Sequence, residues 1–580
     1  MVFGLSRIQA VFQFSSLVLT LCIGDVLLGW SQPETQASEQ RPVTAHSDLA
    51  QDAVPTLRST TRLVQLNVVV NDKHGNPISG LRREDFTLLV DKKPKHIQVF
   101  SVEKSDLSPA HSTVSASPDV YRNTVQPRVG SSGNVTVILL DQLNTEVADQ
   151  IFAREALIQF LKRIQLQDHV ALYCLASDLR VLEDFDADPF RLYEAAARLR
   201  EGSSQKLADS KPEDPSLDNA NSSLRYGQTS DRERFRKTFA QRAANESVAD
   251  RVRQTAAAFV AIANHVGSLP GRKNLVWISD SFPLRVGNDK FDADWASDTG
   301  ADFGNEVEKA ARALTNANIA VYPIDARGLI GPDVAATEAT RQDDEGRSVN
   351  DPAEESFDTM NALAERTGGR AFHNTNNLSG AIRRALDDSR VNYTLGYYPV
   401  SLKWDGSFHR LQVKVNVPGA EVHSRTGFFA FPDPPRLNDI QSTIEQTALG
   451  KLAATGIGLR VQVQSAREPW PQTLIAKLAF ELNEIQIQAK GKDWTGSVET
   501  AFLQLNERGE VIGKDDKTVA MKFGPPEYEE KPTGEVTTTE KIRILPSTAQ
   551  LCVVVRDNSS RQFGSVLIPI EKYFPSQALR

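Results

Sequence analysis

The stretch NVTVILLDQLNT, Asn134 to Thr145, runs through six apolar or β-branched residues, Val135 to Leu140, before it meets Asp141. An unbroken run of this kind suits a strand buried on both faces, where no side of the pleat needs polar side chains. Beyond the acidic turn, Val147, Ile151, Phe152, Ala156, Phe160 and Ile164 recur at helical spacing, so the unit reads strand, carboxylate, amphipathic helix. The layout returns twice. NLVWIS, Asn274 to Ser279, leads into Asp280, and NIAVYPIDA places Asp325 at a third strand end.

Around these three phrases, strands and helices alternate. DHVALYCLA from Asp168 reads as a strand, and LRVLEDF from Leu179 as a shorter one pairing antiparallel at an edge. Helices are predicted from Pro189, with proline at the first position, and from about Asp231 to Val266, stopped by Gly267, Pro270 and Gly271. Others are predicted near Asn305 to Thr315, Phe357 to Arg366 and Leu378 to Asp388, with RAFH a short strand between the last two. The pattern gives an α/β fold, doubly wound and mostly parallel, over residues 133–390. In such a sheet ligands bind outside the carboxyl ends of the strands, which points to Asp141 and Asp280.

The flanks are β only. Residues 61–104 hold about four short strands, 105–132 read as a connector rich in Ser, Pro and Val, and 391–431 hold three further strands with no helix between them. The simplest closure pairs the last group with the first, which would insert the α/β domain in a β-sandwich. Pro432, Pro434 and Pro435 mark a boundary, a helix is expected around Leu437 to Leu449, and eight alternating segments follow, so 432–580 reads as a second β-sandwich domain. The polar stretches 201–230 and 329–355 read as exposed excursions.

A chain of 580 residues exceeds one hydrophobic core, and its net charge of −8 gives no basic footprint for nucleic acid. Arg7 precedes a largely apolar run from Ile8 to Trp30, so 1–31 read as a signal peptide or an uncleaved anchor, followed by a disordered linker over 32–60. The expected location is exported: periplasm, cell envelope or outside. Membrane contact is expected only through that segment. Cys174 and Cys552 lie in separate apolar strands and predict neither a disulfide framework nor a metal site.

The α/β region resembles the von Willebrand factor A domain. The phrases DQLNT, LPGRKNLVWISDSFP, VYPIDARGL, and YTLGYYP with FHRLQVKV, in that order across Arg62 to Phe431, resemble the VWFA-related proteins of Acidobacteria. The resemblance implies a metal-ion-dependent adhesion site built from Asp-x-Ser-x-Ser after the first strand, a Thr from a later loop and an Asp after the fourth strand. Asp141 matches the first position, Thr145 the last of that turn, Asp186 stands near the Thr position, and Asp280 fits the final one. Leu143 departs from the pattern, for its side chain carries no oxygen. Two readings stay open. Asp141, Thr145, Asp186 and Asp280 hold Mg²⁺ or Ca²⁺ with water replacing the lost hydroxyl, or the site is degenerate, Asp141 capping the next helix, Asp280 bonding local amides and Leu143 packing into the tip.

Other chemistry is poorly signalled. There is no nucleophile elbow, no P-loop and no H-E-x-x-H, and His169, His265 and His373 read as structural. Arg272 and Lys273 read as a solvated turn ahead of a strand, and Trp277 as core. The expectation is a non-enzymatic module that binds a protein or cell-surface partner through the carboxyl-end loops. The alternatives are a metal-dependent hydrolase-like enzyme using Asp141 and Asp280, or a structural envelope component.

Overall fold

The computed structural model describes residues 63–104, 119–123, 135–165, 168–185, 188–202, 204–209, 231–269, 271–280, 285–286, 301–302, 304–329, 352–388, 390–399, 402–405, 407–430, 452–466, 472–490, 493–524, 534–560 and 562–574. The N-terminal signal or anchor, the linker over 32–60, Asp186 and the helix expected near Leu437 lie outside the described residues. Described residues from Leu63 onward belong to one compact unit.

Strands β1 (Val64–Asn71), β2 (Phe86–Val90), β3 (Lys93–Lys95) and β4 (Val99–Lys104) come first; β13 (Val391–Tyr397), β14 (Phe408–Val415), β15 (Glu421–Ser424) and β16 (Gly427–Phe429) come almost three hundred residues later. They form two four-stranded sheets, β15-β1-β13-β4 and β16-β14-β2-β3. β13 lies between β1 and β4, with Leu395 opposite Leu66 on one side and Phe100 on the other. Period-two alternation decides what each face does. Val64, Leu66, Val68 and Val70 join Tyr393, Leu395, Leu88 and Leu411 in one core, each fully buried aliphatic side chain contributing about 1.5–3 kcal/mol. The intervening positions Gln65, Asn67, Asn71, Asn392 and Thr394 stand on the other face, whose polar groups meet the α/β unit: Asn71 Nδ2 donates to Asp388 Oδ1 at 2.8 Å, and Asn67 donates to Asn318.

The α/β unit holds a five-stranded sheet, ordered β12 (Ile319–Asp325), β9 (Lys273–Ser279), β6 (Val135–Asp141), β7 (Val170–Leu175), β8 (Leu179–Glu183). The first four are parallel and β8 runs antiparallel at the edge. Every residue of β6, β9 and β12 is buried, which is why each reads as a continuous apolar run. Helices α4 (Asp231–Val266), α5 (Gly304–Asn316) and α6 (Pro352–Thr367) cover one face, packing Phe259, Leu314 and Leu363 on Val137, Leu139 and Trp277. Helices α1 (Val147–Leu161), α2 (Pro189–Arg198) and α7 (Leu378–Asp387) cover the other with Leu157, Leu192 and Ile382 on Ile138, Leu172 and Tyr322. RAFH supplies only a single parallel bridge, Ile324 to Phe372. Within the 201–230 stretch a short helix, α3 (Gln205–Asp209), lies against α4, and two-residue strands β10 (Arg285–Val286) and β11 (Ala301–Asp302) pair with each other. The 329–355 stretch is shorter than read as a loop, because α6 already begins at Pro352.

The connector over 105–132 is not only a connector. Val120–Arg122 form β5, which pairs with β17 (Leu459–Ser465) so that Arg122 stands opposite Arg460. Three residues leave no alternation to detect; their partner lies more than three hundred residues away. β5 completes the sheet β22 (Glu535–Arg543), β18 (Thr473–Glu481), β17, β5, against which β21 (Val511–Phe523), β20 (Asp493–Leu505), β23 (Gln550–Asp557) and β24 (Phe563–Pro569) pack, with β19 (Gln488–Lys490) beside β20. Val461, Leu478, Phe502 and Val553 share the core between these sheets.

Candidate functional site

Asp141 closes β6, and the parallel register of β6 on β9 puts Ser279 beside it. The carboxylate is buried and receives four hydrogen bonds. Asn144 donates its backbone N–H to Oδ1 at 3.0 Å; Oδ2 accepts Asn144 Nδ2 at 2.8 Å, Trp277 Nε1 at 2.9 Å and the Ser279 hydroxyl at 3.0 Å. Burial pushes its pKa up while these donors pull it down. Asn144 carries the network into α4, donating to Thr255 Oγ1 at 2.8 Å and accepting Arg251 Nη1 at 2.8 Å. Asp141 therefore does not cap α1. It ties the turn, β9 and α4 together, and Leu143, 2% exposed, packs in the α4 core.

The cap on α1 comes from Asp280. Its Oδ2 accepts the backbone N–H of Glu146, the residue preceding the helix, at 2.7 Å. The helix dipole favours a negative group there. Asp149, in the first turn of α1, faces the same carboxyl, and Asp325 adds a third acid nearby. Burial first, then these like charges, push Asp280 up to about 8 and raise Asp149 as well. Asp325 is held differently, in a two-pronged ion pair with Arg327 Nε at 3.0 Å and Nη2 at 3.2 Å. Thr145 is buried with its hydroxyl unpartnered, at a cavity of about 20 Å³ bounded by Gln150 and Arg154 of α1, room for about one water.

Asp141 and Asp280 thus share the end of the sheet and serve opposite sides of it, one toward α4 and the other toward α1. A divalent ion needs several oxygens with unused lone pairs converging on one point. Asp141 Oδ2 is crowded by three donors and Oδ1, with one, keeps a single direction open; Leu143 brings no oxygen, and among the described residues no three of His, Cys, Asp or Glu stand where one ion could be shared. Asp280 Oδ1 and Thr145 Oγ1 are buried without partners, and together with the open side of Asp141 Oδ1 they fall short of the octahedral shell a divalent ion needs from protein oxygens alone.

Away from this tip, two residues at the amino end of β9 differ from their reading in the sequence. Arg272 and Lys273 are not a solvated turn: they are 2% and 3% exposed. Arg272 Nη2 donates to Tyr322 Oη at 3.0 Å and to the Gly368 carbonyl at 2.6 Å, and Lys273 Nζ donates to the Gly271 and Ala317 carbonyls. Desolvation lowers the lysine to about 8. Trp277 is core, packed edge-on against Phe259, and is also a donor to the site. Asn144, a neighbour of the motif expected to point elsewhere, bonds Asp141 directly; Arg251, Ser279 and Asp149 were not singled out by sequence, and the acidic residue one turn into α1 was the only local signal among them. His265 is structural, its Nδ1 2.6 Å from the Ala453 carbonyl. Burial raises the thiols of Cys174 and Cys552 to about 12, so neither is an anionic nucleophile near neutral pH.

No family model and no curated protein matches the chain. Among solved structures, an aerotolerance-related membrane protein from Bacteroides fragilis NCTC 9343 is 16% identical over 44% of this chain and 99% of that one, with a TM-score of 0.23. The conserved hypothetical protein BatB from Bacteroides thetaiotaomicron is 16% identical over 44% and 98%, with a TM-score of 0.21. A von Willebrand factor type A structure from Catenulispora acidiphila is 12% identical over 61% and 79%, with a TM-score of 0.17. The mixed α/β architecture described above stands on its own strand order and register. Among the described residues no helix is long and apolar enough to cross a membrane.

Proposed function

We propose that this is an exported, non-enzymatic interaction protein: a von Willebrand factor A-like α/β unit, carried on a β-sandwich, that binds a protein or surface partner through the carboxyl-end loops of its sheet. The acidobacterial branch of that resemblance rests on the sequence phrases alone. In this reading the adhesion site is degenerate, with Asp141 and Asp280 organising the loops and neither Mg²⁺ nor Ca²⁺ required for recognition.

One observation carries the reading. At this end of the sheet Val147, Ile151 and Leu329 are 43%, 41% and 58% exposed. Val147 and Ile151 are four apart on α1 and so share a face, and Gly328, next to Leu329, lies against Phe152 of the same helix. Glu146 and Asp149 border them. An apolar patch rimmed by carboxylates suits a partner segment that is apolar with basic flanks. The test is capture of envelope proteins on the immobilised full chain, with Mg²⁺ and with EDTA, alongside Ile151→Asp and Leu329→Asp. The expected result is a discrete captured partner, lost in both variants and indifferent to EDTA. Retention by both variants would overturn the patch, and loss in EDTA would overturn the metal-free reading. Titration calorimetry with Mg²⁺, Mn²⁺ and Ca²⁺ on wild type and Asp141→Ala checks the same point independently, with no heat expected from any ion.

A further inference from the structure

At the opposite end of the sheet, where the polar face of β1, β4 and β13 meets the amino ends of β9 and β12, lies a cavity of about 410 Å³. That is within the size range of small-molecule sites, and the chemistry of its wall is uneven. Arg272 is 2% exposed and spends Nη2 on Tyr322 and Gly368, but its Nε has no acceptor. Arg425 lines the same cavity: its Nη2 donates to the Gln65 carbonyl, and its Nε too is buried without an acceptor. Leaving a buried donor unpaired is costly, more so for a charged group, and here two guanidinium groups each do so around one space. The acidic group on the wall is Glu103, held by Asn392 Nδ2 at 3.3 Å, so the lining carries a surplus positive charge. Between the charges stand Asn67, Asn318, Thr315 and Thr394, a ring of hydroxyls and amides.

We propose that this cavity is a binding site for a small organic carboxylate bearing hydroxyl or amide groups, its carboxylate accepting from Arg272 and Arg425 and its polar body meeting the Asn and Thr ring. Guanidinium donors in a fixed fork match a planar carboxylate, and the wall polarity disfavours an apolar acid. The seam is built from both halves of the split sandwich and from the inserted unit, so occupation would brace one against the other. The site is distant in the fold from the recognition loops and does not depend on their reading.

The experiment is calorimetric titration and thermal melting of the full chain with gluconate, with octanoate as an apolar acid and inorganic phosphate as a second anion. Wild type is expected to bind gluconate at one site per chain with a raised Tm. Arg272→Gln and Arg425→Gln are expected to bind at least tenfold more weakly. Because either arginine variant could lose stability, Ser101→Phe is the companion: Ser101 is exposed on β4 and lines the cavity, so the ring fills the space while the arginines stay. That variant is expected to melt as wild type without ligand and to show neither heat nor shift with gluconate. No response of wild type to gluconate, undiminished binding by Ser101→Phe, or binding of phosphate or octanoate in preference to gluconate would each overturn the proposal.

Discussion

Trp277 shows how a residue that periodicity assigns to the core can also govern the tip. Its ring fills the α4 face while its Nε1–H supplies one of the four donors that satisfy the buried Asp141 carboxyl. Trp277→Phe retains most of the packing and removes that donor, so it is expected to destabilise the protein by about 1–3 kcal/mol in urea unfolding, with a further loss of local order in the 141–145 turn visible by hydrogen exchange. Asp280, also raised by burial, has like charges beside it as well. Its folded pKa of about 8 lies above the ordinary carboxylate value near 4, so the folded protein binds the extra proton more tightly than the unfolded chain. The resulting stabilisation is present at low pH and is lost as pH rises through about 8. Asp280→Asn cannot ionise and still offers an oxygen to Glu146 N–H. Relative to wild type it is expected to gain stability steadily between pH 5 and pH 8.5; parallel stability curves would show that Asp280 does not hold a proton in the fold. Both carboxylates were legible in the sequence as acidic residues at strand ends. The direction each one turns was not, because it depends on Trp277, Ser279 and Glu146, which reach the site through sheet register rather than local spacing.

At the scale of elements, what the sequence revealed follows burial symmetry. β6, β9 and β12 are enclosed on both faces and announce themselves as apolar runs, and β8, at an edge, mixes Arg180 and Glu183 into a partly exposed strand. Arg272 and Lys273 escaped the same logic: a charged pair before a strand signals solvent unless carbonyls arrive from elsewhere, and here Gly368 and Ala317 supply them from distant turns. β5 escaped it by brevity. Beside its pairing with β17, the next residue, Asn123, ties it to the C-terminal sheets: its Nδ2 donates to the Ala454 carbonyl at 2.5 Å and the Ile457 carbonyl at 2.8 Å while Oδ1 accepts Leu459 N–H at 2.6 Å. Asn123 is buried, so Asn123→Ala takes the side-chain partner from the Ile457 carbonyl and the Leu459 amide in the interior, while the Ala454 carbonyl keeps the Ser565 N–H. A loss of about 2–4 kcal/mol is expected, confined to the C-terminal sheets: hydrogen exchange should accelerate in β17 and β24 and stay unchanged in β6 and β9. Equal acceleration in all four would mean that Asn123 supports the chain globally.

Across the whole molecule, the decisive feature is a sandwich divided in sequence and continuous in space. Lys104 at the end of β4 and Val391 at the start of β13 are register partners, which places their Cα atoms within about 5.5 Å. A two-residue turn can span that gap. The inserted unit therefore leaves and rejoins the sandwich at neighbouring points, and everything from 105 to 390 can be removed without cutting either sheet. A chain running from Leu63 to Lys104, an Asn-Gly turn, and Val391 to Ala430 retains the Val64, Leu66, Val68, Leu88, Tyr393, Leu395 and Leu411 core. What it loses is the cover over its polar face, where Asn67, Asn71, Asn392 and Thr394 become free to bond water, and the C-terminal sheets. Since those exposed groups are already polar, the excised sandwich is expected to be soluble and monomeric, to give a β-type circular dichroism spectrum, and to unfold cooperatively on heating. The small size limits its stability, so a low Tm is compatible with this organisation. A spectrum of an unfolded chain at 10 °C, in a protein whose full-length form is folded, would show instead that the sandwich depends on the unit inserted in it.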